Sequence, residues 1–148
     1  MEIDWLILAD AAQISDGKLF LMGGGWDSLW VNAGFPVQQH FAVAAAFKVP
    51  WNETNRRHPV EIEIQDQDGA VLFQMGGELE VGRPAGIEPG QDQRAQLALD
   101  LEFAFERPGT YLIVAKIQGV EKRVPFRVLP SPALAARNWP GRPGQPGR

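Results

Sequence analysis

The stretch from Gln96 to Glu106 constrains the fold more than any other part of this 148-residue chain. Leu97, Leu99, Leu101, Phe103 and Phe105 share one parity; Gln96, Asp100, Glu102 and Glu106 share the other, with Ala98 and Ala104 between. Alternation held over this length is the mark of a half-buried β-strand, because successive side chains leave a strand on opposite faces.

The pattern recurs along the chain. Trp5 to Asp10 is nearly continuously apolar and predicts a first strand covered on both faces. Ser15-Asp16-Gly17 is a turn signal, and Lys18 to Gly23 returns as a second strand. The triplet Gly23-Gly24-Gly25 predicts a bulge or sharp bend before Trp26 to Val31 resumes extended structure. His40 to Val49 puts Phe41, Val43, Ala45, Phe47 and Val49 on one face and Ala42, Ala44 and Ala46 on the other, where only small side chains leave room for close packing. Pro50 ends that strand.

Pro59 to Asp66 alternates Val60, Ile62 and Ile64 inward with Glu61, Glu63 and Gln65 on a solvated outer face. Asp68-Gly69 turns the chain into Ala70 to Met75. Gly76-Gly77 is expected to break that strand before Glu78 to Val81. Gly82 to Asp92 is a loop, Arg107-Pro108-Gly109 a turn, and Thr110 to Gln118 a central strand. Lys122 to Leu129 reads as an edge strand, since Pro125 has no N–H to give a ladder. The sum is an all-β chain: an immunoglobulin-like or C2-like antiparallel β-sandwich of about eight strands over residues 1–129. Pro130 to Arg148 holds five prolines and three glycines in 19 residues. It reads as a flexible tail, with Ser131-Pro132 capping a short helix through Ala133 to Arg137 that has proline at its first position.

Cysteine is absent, which removes disulfides, thiolate metal sites and a cysteine nucleophile. The acidic start Met1-Glu2-Ile3-Asp4 and the short apolar run after it do not make a signal peptide, and no stretch matches a membrane span. A cytoplasmic protein with no membrane association is expected. The net charge of −4 is uneven. Arg137, Arg142 and Arg148 face no acid in the tail, which is therefore +3, and the remaining residues hold −7. Nucleic acid needs clustered Lys and Arg, so it is not an expected partner.

Motifs for chemistry are few. Asp66-Gln67-Asp68-Gly69 has the look of a calcium loop but lacks its closing Glu, and Asp-Gly is what a hairpin turn requires. Asp10, Asp16 and Asp27 lie near the ends of successive strands; if they converged they would suit a metal-assisted hydrolase, and otherwise they are turn caps. His40 and His58, two histidines alone, read as surface or loop residues rather than zinc ligands. Glu61 with Glu63, and Glu78 with Glu80, are expected on a solvated face. No nucleophile elbow or phosphate loop occurs. No catalytic residue, metal or cofactor is assigned, and the chain is not expected to be an enzyme.

The tryptophans are the remaining signal. Trp26 and Trp30 would share a face in a regular strand, where core packing of one or the other is the plainer expectation, as loop anchoring is for Trp51. Trp51 opens a polar loop to His58, with Asn52, Asn55, Arg56 and Arg57 beside it. Trp and Arg are enriched where proteins bind proteins, so these five residues form the candidate binding surface. The leading expectation is a non-catalytic protein-interaction module that binds a protein partner, or a second copy of itself, through an end loop or an edge strand. The alternative is a carbohydrate-binding or other small-ligand sandwich that stacks its ligand on Trp26, Trp30 or Trp51.

Two stretches carry resemblances. Leu8 to Leu29 resembles the N-terminal hairpin of a family of small uncharacterised bacterial proteins of unknown function, through Asp10, Ala11, Gly17, Lys18, Leu19, Gly24 and Asp27. The likeness extends more loosely to Leu129, and the tail lies outside it. It implies a bacterial, cytoplasmic, single-domain protein and carries over no activity. Phe105 to Gly119 is similar to the Pro-Gly-x-Tyr entry of a late strand in immunoglobulin-like sandwiches, which implies that the Tyr111 hydroxyl returns to the backbone as a tyrosine corner.

Overall fold

A computed structural model describes residues 1–133. Nine strands follow in order: β1 (Glu2–Ser15), β2 (Lys18–Gly24), β3 (Ser28–Val31), β4 (Val37–Val49), β5 (Arg57–Asp66), β6 (Val71–Glu80), β7 (Gln93–Phe105), β8 (Gly109–Ile117) and β9 (Val120–Pro130). They build a β-sandwich: a four-stranded sheet ordered β2-β1-β4-β7 packs on a five-stranded sheet ordered β3-β9-β8-β5-β6. All pairings are antiparallel except β3 with β9, which run parallel from Ser28 opposite Arg127 to Val31 opposite Pro130.

The core is the one the alternation predicts. Phe41, Val43 and Phe47 of β4 meet Leu101 and Phe105 of β7 on one sheet and Ile62, Ile64, Ile113 and Phe126 on the other, all buried. Each such side chain contributes about 1.5–3 kcal/mol by leaving water. Tyr111 stacks edge-on against Phe105 at 4.9 Å, and its hydroxyl donates to the Arg107 carbonyl at 2.6 Å. The tyrosine corner is present.

The alanine face also has its predicted reason. β1 pairs with β4 only as far as Ala9 opposite Ala42, while its pairing with β2 runs on to Ser15 opposite Lys18. The distal part of the β1–β2 hairpin leaves the sheet edge and folds over the sheet's outer face. There Ala12, Leu19 and Leu21 pack with Ala9, Ala42, Ala44 and Ala98. Ala42 and Ala44 are 0% exposed because this arm covers them. The glycine triplet is the bend. Gly23 has φ +57°, and a side chain there would meet the Asp10 carboxylate; one at Gly24 would meet Leu21.

Several expectations are corrected. Gly76 and Gly77 do not interrupt β6, which pairs straight through them opposite Glu61 and Val60; a ladder bonds backbone, not side chains. Pro125 sits on a free edge, but two residues later β9 becomes interior, because β3 covers it from Arg127 onward. His58 is buried rather than in a surface loop, and Glu63 and Gln65 are buried rather than solvated. The sandwich holds fast as far as Ser131, whose N–H donates to the Val31 carbonyl at 2.8 Å. The helix expected to Arg137 and the flexible stretch beyond it lie outside the described residues, apart from the helix's first residues, Pro132 and Ala133.

Candidate functional site

The Trp51 loop is built rather than loose. Trp51–Glu53 forms a single 3-10 turn after Pro50. The Arg83 guanidinium lies 4.0 Å from the centre of the Trp51 ring. It also donates to the Trp51 carbonyl at 2.9 Å and to the Thr54 hydroxyl at 2.6 Å. A cation over an aromatic face contributes about 0.5–1 kcal/mol at such a site, and here it occupies one face of the ring. Asn55 adopts φ +59° and donates its N–H to the Val81 carbonyl at 2.8 Å. Arg56 lies 3.9 Å from Glu53, and Arg57, already within β5, lies 3.6 and 3.5 Å from Glu78 and Glu80. Asn52 is exposed. His58 anchors the loop from beneath. Its Nε2 lies 2.7 Å from the Glu53 carbonyl, and its Nδ1 is within hydrogen-bond distance of the Gln118 side-chain amide. Four of the five candidate residues thus share one loop and Arg57 opens the adjoining strand, with Trp51 held by Arg83 and both arginines beside carboxylates.

The other tryptophans part company. Trp26 lies outside regular strand and turns inward, edge-on to Phe41 and Phe126 at 6.2 Å each. Its indole N–H is buried without a partner among the described residues. Trp30, on β3, is 53% exposed. The irregular backbone between them breaks the two-residue period that would have put both on one face.

Asp66 serves its own turn, accepting from the N–H groups of Asp68 and Ala70 at 2.9 Å each. Among the described residues no three His, Asp or Glu side chains gather where they could hold a metal ion, so Asp10, Asp16 and Asp27 do not converge. The metal-assisted reading required that convergence and is dropped.

A polar cluster that the sequence reading missed lies on the outer face of the five-stranded sheet. Glu63 is 3% exposed. It accepts from Lys116 at 2.7 Å and from Gln65 at 2.6 Å. Lys116 also lies 3.6 Å from Glu61. The Lys116 hydrogen bond, then that from Gln65, lowers the Glu63 carboxyl to a pKa of about 2. The same bond raises Lys116 above its ordinary value. The Gln65 side-chain oxygen is buried and has no partner among the described residues. Its partners come from β8, where Lys116, Val114 and Leu112 stand opposite Glu61, Glu63 and Gln65, so nothing local to β5 signals it. The lysine and carboxylate neutralise each other, so the pair suits structure rather than proton transfer.

The exposed large apolar side chains lie elsewhere. Phe20 and Met22 stand on β2, Trp30 on β3, and Val71, Leu72 and Met75 on β6; Ile14 is on the β1 arm. All but Ile14 belong to strands that end a sheet. Between the β6 and β7 edges, Phe47, Ile62, Met75, Leu79, Leu97 and Leu99 line a slot of about 110 Å³. Among the described residues no helix is long and apolar enough to cross a membrane.

No curated protein matches the chain. The family of unknown function DUF6941 matches it over residues 4–129, and the chain belongs to that family.

Proposed function

We propose that this protein is a non-catalytic protein-interaction module that engages its partner along exposed sheet edges. The observation that carries this reading is the placement of the exposed apolar residues. Six of the seven among the described residues, Phe20, Met22, Trp30, Val71, Leu72 and Met75, stand on edge strands. Natural edges are usually blunted with charge or proline, so an apolar edge is suited to adding a strand or a strand-bearing partner. The non-catalytic part rests on how the polar groups are engaged. Asp66 closes a turn, His58 holds a loop through both ring nitrogens, and Glu63 is neutralised by Lys116. The Trp51 loop, with exposed Asn52, Asn55, Arg56 and Arg57, is a second contact surface. The carbohydrate reading keeps Trp30 as its open aromatic, since Trp26 packs inward and Trp51 gives one face to Arg83.

The test is capture of partners from the native host by the full chain, by a Leu72→Lys/Met75→Lys variant and by a Trp51→Ala/Arg56→Ala variant. A protein lost with the edge variant, and shown to bind the purified wild-type chain directly, supports the edge reading. A protein lost only with the loop variant moves the site to Trp51. Absence of any binder for all three overturns the proposal.

A further inference from the structure

We infer that the partner at one of these edges is a second copy of this chain, joined β7 to β7 in antiparallel fashion about Ala98. This deepens the reading above and rests on it. Strand β7 is 13 residues long, bonds only to β4, and carries no proline or lysine. Among the described residues no strand pairs with its outer edge, and the charges it carries there, Arg94, Asp100 and Glu102, are of both signs.

The argument for self-pairing is charge complementarity. A two-fold axis perpendicular to the sheet keeps each residue on its own face, so opposed residues must share parity. Centred on Ala98, the axis sets Arg94 against Glu102 of the second copy and Glu102 against its Arg94. Gln96 then faces Asp100, and Leu97 faces Leu99. Two opposite-charge pairs form and no acid meets an acid. Moving the centre to Asp100 opposes that residue to itself, and moving it to Leu97 sets Glu102 against Asp92. Arg94 is available: Nε and Nη2 are directed at Asp4 at 3.1 Å, and the side chain is 61% exposed. A guanidinium has further donors to give.

The apolar residues agree. The folded-over arm brings Phe20 and Met22 beside Asp100, together lining a hollow with Ala11, Ala12 and Gln13. Phe20 and Met22 are 55% and 70% exposed above the outer face that holds Asp100. The same axis keeps both five-stranded sheets on one side. Val71, Leu72 and Met75 of β6, next to β7 across the slot, therefore turn toward their symmetry mates. One isologous contact then brings the two β6 clusters face to face.

The test uses sedimentation equilibrium of the purified full chain. The wild type is expected at twice its 16.3 kDa mass. Arg94→Glu alone opposes acid to acid, and Glu102→Arg alone opposes base to base; each is expected to weaken the dimer by about tenfold or more. An equimolar mixture of the two variants makes a heterodimer with both pairs restored, and its dimer fraction is expected to return. Circular dichroism and melting of each variant check that it folds. A monomeric wild type, or a mixture no more dimeric than its components, overturns the β7 inference. If a monomeric wild type still loses a host partner on Leu72→Lys/Met75→Lys, the interaction reading stands and only self-pairing fails.

Discussion

The outer faces of the two sheets began from similar alternating strands and ended with opposite solutions. On the four-stranded sheet, Ala42 and Ala44 are sealed beneath the β1–β2 arm. On the five-stranded sheet, Glu63 is equally buried, but beneath the neighbouring side chains of its own sheet and held by Lys116. One face is closed by folding a hairpin back, the other by pairing a charge in place. A small residue on an outer face signals a cover that must fit. A charged one conceals its depth, because its cover is made by strands distant in sequence.

The comparison is broken most directly by overfilling the covered face. Ala44→Leu leaves no room under Leu21 and Trp5 and is expected to cost about 3 kcal/mol, the upper end for overpacking. That corresponds to a drop of roughly 6–12 °C in melting temperature for a domain of this size. A loss under 1 kcal/mol would mean that the arm lifts off freely. Glu63→Gln comes next, at about 2 kcal/mol by chemical denaturation, because Lys116 loses a charged acceptor.

The same carboxylate should mark the acid limb of stability. Its folded pKa, about 2, lies below its ordinary 4.5. Its contribution is therefore complete above pH 4.5 and is lost as pH falls toward 2. Denaturation curves of Glu63→Gln should show a shallower decline than wild type across that window; parallel declines would remove Glu63 from the account. Gly23→Ala should cost about 1 kcal/mol, because φ +57° is strained for a residue with a side chain. The smallest effect sharpens the contrast within one strand. Glu61→Gln, two residues from Glu63 and half-buried, should shift stability by less than about 0.5 kcal/mol. Equal losses at Glu61 and Glu63 would show that depth on this face is not what matters.

Much of the fold was legible because each local signal had a local cause. The alternation of β7, the Asp68-Gly69 turn and the Tyr111 corner all act within a few residues of themselves. The glycine triplet was also legible as a bend, though not where the bent arm would land. The errors fall where a distant strand decided the outcome. Glu63 read as solvated because nothing in β5 shows that Lys116 stands opposite Glu61 one strand away. Gly76-Gly77 read as a break because conformational freedom was weighed without the β5 ladder that removes it. Core packing, one expectation for the pair, holds for Trp26, while the condition of regular strand between Trp26 and Trp30 fails, since β3 begins only at Ser28.

The candidate loop was found from composition, as a tryptophan among asparagines and arginines. The Arg83 that stacks on Trp51 comes from 32 residues further along, beyond the reach of any local motif. The edge strands were half legible. Pro125 correctly marked unpaired backbone, yet the parallel docking of β3 on β9 was invisible, since parallel pairing leaves no turn signature.

By itself the sequence determined the strands, their inward faces, the main turns and the demand for a close cover over the alanines. These depend on backbone geometry and on which side chains avoid water, both properties of neighbours in the chain. Only the tertiary structure decided that the hairpin arm supplies that cover, that Glu63 lies deep beside Lys116, and that β2, β3, β6 and β7 are left as the edges. Those outcomes depend on sheet order, and sheet order is set by contacts between residues that the chain brings together only on folding.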